Sequence, residues 1–381
     1  MNINWTNLSQ QTFITEYWNK KPVVLKAAVT NFDDPIDAND LAGLAMEEVV
    51  ESRIVRNDQG WNVKHGPFSD YDDLPERQWS LLVQGVDRWI PEVHELRKLV
   101  SFLPQWQIDD VMVSFSSQGG GVGAHLDQYN VFILQGQGRR HWQVGAVDKT
   151  LQQKETVTDL LQVDSFDAII DEILEPGDLL YIPPFSPHCG ETLEDAMSYS
   201  IGFRAPSQTE LLTSFADYIF ENELGKNRFS TQVNSNPSRL KGAIPGQDID
   251  ALKQFMLESI ESGRFEHFAH QFLTEPTREL DIVPSEHEWS ESQLLQTLQS
   301  EHVQLNKVLG LQTSYRITEQ SLQFFCNGMY FSLAPNQLNL IEILSKQETM
   351  TSKELKSSLA QLENITLLTT LINTGYWYIS E

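Results

Sequence analysis

The chain has 381 residues and carries 53 acidic against 27 basic side chains, a formal net charge of −26. A hydrophobic fraction of 40% with 21 glycines and 16 prolines is typical of a globular protein and disfavours intrinsic disorder, and the length predicts roughly two or three domains. The N-terminal sequence lacks the basic and apolar regions of a secretion signal, and no window reaches the ~18 apolar residues of a membrane span. Because only Cys189 and Cys326 are present, we expect a cytoplasmic protein without a disulfide framework.

The acidity is concentrated in residues 101–200, which contain 15 acidic and only four basic side chains. Direct binding of nucleic acid is disfavoured, because phosphate recognition depends on clustered Lys and Arg. A basic polypeptide is a better partner for this charge. The alternative is that the acidity only keeps the protein soluble.

Short strand-like segments follow one another up to about residue 205. They are rich in β-branched or aromatic residues and lie at Val111–Phe115, Tyr129–Gln135, Arg140–Val144, Asp178–Ile182 and Ser198–Phe203. Turns that contain glycine or proline separate them, for example Gly119-Gly120-Gly121 and Glu175-Pro176-Gly177. This pattern predicts an antiparallel barrel or sandwich over residues 1–205.

Beyond the barrel region the pattern becomes helical. Ser207 followed by Glu210 predicts a capping box at the start of an amphipathic helix. A second such helix is predicted over residues 250–263, and the Asn-, Ser-, Pro- and Gly-rich stretch 227–247 between them is predicted to be a loop. Two helices are too few for an independent core, so we expect region 206–275 to pack on the barrel or on another subunit.

The last region, 276–381, mixes short helices with short strands. Helices are predicted at 291–300, at 336–345 and from Thr351 with Glu354 as capping partner, and strand-like segments at 315–317, 323–325 and 376–379. Short helices followed by a terminal strand suggest a winged-helix arrangement. After residue 300 the chain has five basic against seven acidic side chains, so a packing or partner role is favoured over DNA binding.

A candidate metal site comes from two separate motifs. His125-Leu126-Asp127 opens the predicted strand 129–135, and residues i and i+2 of a strand project to the same face. The proline-rich turn that precedes His188 would deliver a second imidazole at the end of another strand. Two imidazoles and one carboxylate on one side of a cation form the facial triad that suits non-haem Fe(II) and leaves positions open for substrate and dioxygen. Each motif alone is ambiguous, since a single histidine after such a turn is more often structural.

The open metal positions need an organic partner, and the chain offers an anion site for one. Arg139 and Arg140 follow the turn after the predicted strand 129–135, and an arginine fork facing the barrel would bind one carboxylate of a dicarboxylate co-substrate. The sequence does not fix the length of the turn, so hairpin parity leaves open which arginine faces inward. The alternative is an exposed arginine pair on a solvated hairpin.

Six segments also carry a family resemblance. They are Trp79–Gln84, Asp109–Ser114, Gly119–Tyr129, Gln135–Arg140, Tyr181–Pro184 and Tyr199–Pro206. Together they resemble the bacterial ribosomal oxygenases, which are JmjC-type, cupin-fold 2-oxoglutarate dioxygenases. The resemblance implies an α+β chain with a double-stranded β-helix (cupin/JmjC) barrel over 1–205, a helical dimerisation region over 206–275 and a winged-helix-like domain over 276–381. It also implies a homodimer.

The resemblance assigns expected roles to individual residues. It implies that His125, Asp127 and His188 ligate Fe(II), and that Arg140, helped by Ser114, holds the distal carboxylate of 2-oxoglutarate. The family hydroxylates the β-carbon (C3) of an arginine in the large-subunit ribosomal protein L-sixteen, consuming O2 and releasing succinate and carbon dioxide. An acidic catalytic domain would suit that basic substrate. Two alternatives stay open: an oxygenase acting on a histidine or lysine of a ribosomal or other basic protein, and a non-catalytic cupin regulator.

Overall fold

The computed structural model describes residues 1–157, 159–230, 242–300, 302–319 and 321–380. The central part of the predicted loop, 231–241, lies outside these ranges. The helices are α1 Gln10–Glu16, α2 Ala38–Leu44, α3 Pro91–His94, α4 Gln208–Glu221, α5 Gly246–Glu261, α6 Arg264–Thr274, α7 Glu291–Leu298, α8 Leu338–Lys346, α9 Ser352–Leu355 and α10 Leu362–Asn373. Among these described helices, none combines the length and the apolar character that a bilayer crossing requires.

The strands lie mostly in the N-terminal half. They are β1 Val23–Leu25, β2 Ser52–Arg56, β3 Asn62–His65, β4 Trp79–Val83, β5 Ile108–Ser116, β6 Val131–Gln135, β7 Arg140–Gly145, β8 Lys154–Val157, β9 Leu160–Gln162, β10 Ala168–Leu174, β11 Leu179–Ile182, β12 His188–Thr192, β13 Ala196–Phe203, β14 Gln304–Lys307, β15 Thr313–Ile317, β16 Leu322–Cys326, β17 Met329–Leu333, β18 Thr349–Thr351 and β19 Trp377–Ser380. The five strands predicted before residue 205 all exist, with boundaries shifted by up to three residues.

The chain divides into two compact units. The first consists of Met1–Ala205, Thr277–Leu311 and Gln347–Glu381, and the second of Pro206–Pro276 and Gln312–Lys346. The region after residue 276 therefore contributes to both units. The assignment of separate roles to 1–205, 206–275 and 276–381 stays a prediction.

The core of the first unit is an antiparallel β structure made of two sheets. The larger sheet has the strand order β1-β11-β6-β13-β5-β4-β2-β3, and the smaller has the order β10-β7-β12. Apolar residues from both sheets form one buried cluster: Val131, Ile133, Trp142, Val144, Leu174, Leu180 and Ile182. This arrangement confirms the predicted double-stranded β-helix.

Strand β6 connects the barrel interior with the helices that pack outside it. Its five residues, Val-Phe-Ile-Leu-Gln, are all buried, and alternate side chains of a strand point to opposite faces. Ile133 packs inside the barrel, whereas Phe132 packs on the other face against Phe13 of α1, with ring centroids 5.5 Å apart. The strand is therefore covered on both faces, which explains its continuous apolar run.

The first unit also contains the C-terminal sheet β18-β14-β19 and the helices α7 and α10. The predicted segments 291–300 and 376–379 correspond to α7 and β19. Thr351 and Glu354 form the predicted capping box at the start of α9. Helix α10 has no counterpart in the sequence analysis.

The second unit combines helices α4, α5, α6 and α8 with the sheet β15-β16-β17. The capping box at its start is confirmed, because the Ser207 hydroxyl accepts from the Glu210 amide at 3.1 Å and the Glu210 carboxylate accepts from the Ser207 amide at 2.6 Å. Phe215 of α4 packs against Phe265 and Phe268 of α6 at 5.3 and 5.2 Å. Helix α6, which the sequence analysis missed, thus supplies the aromatic partner that two helices alone would lack.

Candidate metal and co-substrate site

A glycine-rich segment, residues 119–123, precedes His125 and leads the chain into the barrel. Gly119 and Gly123 adopt positive φ values of 75° and 79°, which glycine adopts without steric cost. The backbone of His125 then forms an isolated antiparallel bridge with His188, with N···O distances of 3.0 and 2.8 Å. This bridge sets the two imidazoles side by side, with ring centroids 4.2 Å apart.

The local structure around both motifs differs in detail from the prediction. Strand β6 begins only at Val131, so His125 and Asp127 lie before it, with His125 in an isolated bridge. His188 opens β12 instead of ending a strand. Strand β11 stops before the Pro183-Pro184 turn, because proline lacks the N–H that would continue the ladder.

The turn before His188 is tied directly to the first motif. Phe185 adopts φ 63° and its amide donates to the carbonyl of Asp127 at 2.7 Å. The carbonyl of Gly123 lies 3.1 Å from Nδ1 of His125, and that of Ser186 lies 2.9 Å from Nδ1 of His188. A carbonyl can only accept, so Nδ1 carries a proton in each ring, and in the neutral imidazole Nε2 is the nitrogen available to a metal.

The three side chains meet the requirements of a metal site. One ligand atom from each of His125, Asp127 and His188 lies within 4.8 Å of the others, and Asp127 Oδ2 is 3.9 and 3.7 Å from Nε2 of the two histidines. His188 is buried, and burial lowers the pKa of its imidazole to about 4, with the neighbouring His125 acting in the same direction. A neutral imidazole with a free Nε2 is the form that binds a metal, so these residues fit a divalent ion such as Fe(II).

A cavity of about 350 Å³ opens beside the triad and ends at a buried arginine. Its lining includes all three triad residues together with Arg140 and Ser114. Arg140 is only 7% exposed, yet it has no carboxylate within salt-bridge distance in the described part of the chain. Its Nη1 donates to Ser198 Oγ at 3.3 Å and its Nη2 to the Gly190 carbonyl at 3.4 Å, while its buried Nε has no partner there.

Burial of this cation without an anion is unfavourable, and it lowers the pKa of the Arg140 guanidinium to about 10. A carboxylate that entered the cavity would provide both the missing charge and an acceptor for Nε. Ser114 is buried and pairs across the sheet with Ser198, on the same face. The donor set therefore fits a dicarboxylate such as 2-oxoglutarate.

The structure decides between the two arginines left open by the sequence. Arg140 is the first residue of β7, whose inward positions are Arg140, Trp142 and Val144. Arg139 precedes the strand and pairs with Glu194 at 2.9 Å on the surface, where both side chains are about half exposed. Of these two arginines, Arg140 alone lines the cavity.

Trp142 is a site residue that the sequence analysis missed. Its ring lies 5.0 Å from the guanidinium of Arg140 and 6.1 Å from the ring of His188. Gly190 faces it across the sheet, and a Cβ on Gly190 would come within 2.9 Å of the indole. The sequence did contain a signal for Trp142: it lies two residues after Arg140 on the predicted strand, so both side chains are expected on the same face.

The cavity lining also carries two further carboxylates. Asp109 and Asp110 at the start of β5 line it, together with Met112, Tyr129 and Arg278. Asp110 is 5% exposed, and burial raises the pKa of its carboxyl to about 6. The cavity thus combines Arg140, the triad, and a carboxylate pair that Arg278 contacts.

Comparison with known proteins agrees with this site and with the fold. Residues 95–211 match the family model of the JmjC domain, and residues 256–378 match that of the ROXA-like winged helix. The second match confirms the predicted winged-helix character of the C-terminal region.

Two curated relatives and one solved structure span most of the chain. The "Ribosomal protein uL16 3-hydroxylase" of Escherichia coli (strain K12) is 42% identical, over 99% of this chain and 98% of its own. The "Probable ribosomal oxygenase" of Haemophilus influenzae is 30% identical, over 88% of this chain and 84% of its own. The structure of YcfD, a ribosomal oxygenase from E. coli, in complex with cobalt and 2-oxoglutarate matches with TM-score 0.87 at 41% identity, covering 98% and 99% of the two chains. The chain therefore belongs to the JmjC-type ribosomal oxygenases.

Proposed function

We propose that this protein is an Fe(II)- and 2-oxoglutarate-dependent hydroxylase that adds a hydroxyl group to the β-carbon (C3) of an arginine in ribosomal protein uL16, the L-sixteen of the sequence analysis. The observation that carries the proposal is one cavity in which His125, Asp127 and His188 lie beside the buried, anion-free Arg140. The E. coli relative of the same family and nearly the same length carries the name of this activity. That relative and the family resemblance supply the target.

The proposed catalytic residues are the three ligands. His125 and His188 offer Nε2, because Nδ1 of each ring is held by a backbone carbonyl, and Asp127 offers one carboxylate oxygen. When bound, Fe(II) supplies, together with 2-oxoglutarate and O2, the oxidising chemistry that replaces a C–H bond with C–OH and leaves succinate and carbon dioxide. The protein contributes the fixed positions of the donors, which the His125–His188 backbone bridge sets before any ligand enters.

Arg140 has the anchoring role. Its guanidinium would hold the distal carboxylate of 2-oxoglutarate, with the hydroxyls of Ser114 and Ser198 on the same face of the sheet. Trp142 limits how far the guanidinium can move, because its ring lies 5.0 Å away. The keto acid end would then point toward the triad, which lines the same cavity.

The carboxylates in the cavity lining and the acidity of the surrounding sequence favour a basic side chain as the group to be oxidised. Asp109 and Asp110 line the cavity, and residues 101–200 as a whole carry 15 acidic against four basic side chains. Such a surface attracts a basic ribosomal protein and raises its rate of encounter.

The test is turnover of 2-oxoglutarate with Fe(II) and a uL16 fragment, with mass spectrometry to locate any added oxygen. We expect succinate formation coupled to a gain of one oxygen on one arginine, and an unmodified arginine in uL16 from a deletion strain. Oxygen found on a histidine or lysine would move the assignment to another residue type. Failure to turn over 2-oxoglutarate with any basic ribosomal fragment would favour a non-catalytic cupin regulator.

We also propose that region 206–275 mediates homodimer formation. Its helices carry exposed apolar side chains at Leu212, Phe220 and Met256, which are 61%, 84% and 70% exposed in the single chain. Light scattering after size exclusion would give twice the chain mass if the proposal holds. A cytoplasmic location, where ribosomes are made, follows from the proposed substrate, and the absence of direct nucleic-acid binding stays a prediction based on charge.

A further inference from the structure

Arg278 lines the catalytic cavity although it lies outside the part of the chain that matches the JmjC family. It follows α6 in sequence and belongs to the first compact unit. Its Nε donates to Glu51 at 2.8 Å, and its Nη1 lies 3.4 Å from Asp109 Oδ2 and 3.2 Å from Asp110 Oδ2. The side chain is 27% exposed, so these ion pairs are only partly open to water.

The two oxygens of Asp110 have different surroundings. Oδ2 receives both the contact from Arg278 and a hydrogen bond from the Gly85 amide at 2.8 Å. Oδ1 accepts no hydrogen bond within the described residues. It lies beside Gly202, where an added Cβ would come 3.4 Å from it, and Gly202 also lines the cavity. One oxygen of the carboxylate is therefore fixed, and the other is left for a ligand in the cavity.

The charge of this carboxylate depends on its neighbours. Burial raises the pKa of Asp110 and is the largest effect; Asp87 and Asp109 act in the same direction, whereas Arg278 and Arg88 lower it. The phenol of Tyr129 also faces this group. Arg278 provides the largest of the effects that favour the ionised form.

We infer that Arg278 is a positioning residue for substrate recognition: it holds Oδ2 of Asp110, so that Oδ1 of the same carboxylate accepts a hydrogen bond from the guanidinium of the substrate arginine. The inference rests on the proposed function, since it takes the basic side chain as the group that enters the cavity. It places part of the specificity apparatus in the segment Thr277–Leu311, after the JmjC-matched residues.

The inference predicts that removal of the charge at position 278 weakens peptide binding selectively. The pKa of Asp110 then rises further above about 6, so more of the carboxyl is protonated near neutral pH and the free oxygen attracts a cation less. Binding of the basic peptide weakens, whereas binding of 2-oxoglutarate at Arg140 does not. A hydrogen bond to a charged group contributes about 1.5–3 kcal/mol, which corresponds to a rise of about tenfold or more in the peptide KM.

A double-mutant cycle tests this with the full-length enzyme and a uL16 fragment. The variants are Arg278→Gln, Asp110→Asn and the double variant, and the readouts are KM for peptide, KM for 2-oxoglutarate and the pH dependence of kcat/KM. Arg56→Gln is the matched control, because Arg56 is 28% exposed and pairs with Asp58 at 3.1 Å but does not line the cavity. Thermal unfolding verifies that each variant folds, and Arg278→Lys replaces Arg278→Gln in the cycle if the latter does not fold.

We expect Arg278→Gln to raise the peptide KM about tenfold or more, to leave the 2-oxoglutarate KM within about twofold, and to move the acidic limb of kcat/KM upward by about one pH unit. In the Asp110→Asn background the same substitution adds less than about twofold, because its target is gone. Arg278→Lys, which keeps the charge, has a smaller effect that also vanishes in that background.

Three results would overturn the inference. The first is a peptide KM of Arg278→Gln equal to that of wild type. The second is an effect of Arg278→Gln on the peptide KM that is as large in the Asp110→Asn background as in wild type. The third is an equal rise of the peptide KM and the 2-oxoglutarate KM. An inactive wild-type enzyme with the uL16 fragment would end the proposed function and this inference together. An active wild-type enzyme with an unaffected Arg278→Gln variant would end the inference alone.

Discussion

Replacement of Arg140 by methionine is expected to change stability and ligand binding in opposite directions. The guanidinium is buried without a carboxylate partner in the described residues, and burial lowers its pKa to about 10. A depression of this size corresponds to roughly 3 kcal/mol of unfavourable free energy in the folded protein. Methionine has a similar volume and no charge, so it removes this cost without opening a cavity.

The interactions lost with the guanidinium offset part of that gain. Its bonds to Ser198 and to the Gly190 carbonyl are long, at 3.3 and 3.4 Å, so each contributes less than the ~1.5–3 kcal/mol of a well-formed bond to a charged group, and together they contribute about 1–2 kcal/mol. The ligand-free protein with Arg140→Met should therefore be about 1–2 kcal/mol more stable than wild type. In the wild-type protein, Arg140 therefore lowers the stability of the ligand-free state and in return provides the cation that binds the co-substrate.

Urea unfolding with and without 2-oxoglutarate measures both effects. At a concentration of 100 times Kd the co-substrate should stabilise wild type by about 2.7 kcal/mol and should not stabilise the Arg140→Met variant. Arg139→Met is the matched control, since this arginine is exposed and paired with Glu194, and it should retain the ligand-induced stabilisation. A ligand-free Arg140→Met protein that is less stable than wild type, or one that 2-oxoglutarate stabilises as strongly, would refute the reasoning.

Three further outcomes are expected. Asp127→Ala should abolish turnover and weaken the binding of Co(II), which is followed by visible absorption. The circular dichroism spectrum should stay unchanged, because the side chain of this proposed ligand lines the cavity and is not part of the apolar core. A variant that binds Co(II) like wild type would contradict the assignment. Gly190→Ala should lower the free energy of unfolding by about 1–3 kcal/mol, because the added Cβ would lie 2.9 Å from the Trp142 ring. The control is Gly43→Ala in α2, where an added Cβ has nothing within 4 Å. This control should be neutral or slightly stabilising in the same urea titration. Ser207→Ala should cost about 1 kcal/mol through the lost capping bond of α4, and an unchanged unfolding midpoint would show that this end of the helix contributes little to stability.

Much of the site could be predicted because its residues are organised by short-range backbone rules. The H-x-D spacing placed His125 and Asp127 together, and the proline-rich turn marked His188 as a residue delivered at a fixed point. The prediction of a strand around Asp127 was wrong, because the segment pairs only through the isolated bridge at His125. The bridge at His125 is nevertheless accompanied by the expected clustering, because ligand atoms of His125 and Asp127 lie within 4.8 Å of each other.

Other features depend on distant parts of the chain and left no local signal. Arg278 reaches Asp110 across 168 positions of sequence, and nothing in either segment predicts that meeting. Helix α10 was missed for a different reason. It has a buried face, with residues such as Ile365, Leu368 and Ile372, but its exposed face includes Thr366 and Thr370, and β-branched residues such as these weaken the helical signal.

Three groups in the cavity are open to a ligand, and together they define what it binds. Arg140 has a buried cation without an anion in the described residues, the two histidines direct Nδ1 to backbone carbonyls and leave Nε2 for a metal, and Asp110 has one oxygen that accepts no hydrogen bond within the described residues. Of these atoms, Nε of Arg140 is buried without a partner in the described residues, and it costs free energy in the ligand-free protein, because a buried polar atom without a partner is less stable than the same atom in water. A carboxylate would satisfy Arg140, a metal ion the two histidines with Asp127, and a cationic side chain Asp110. Because the cost at Arg140 is already present before binding, a carboxylate would recover it on arrival, so part of the affinity for the dicarboxylate is built into the ligand-free cavity.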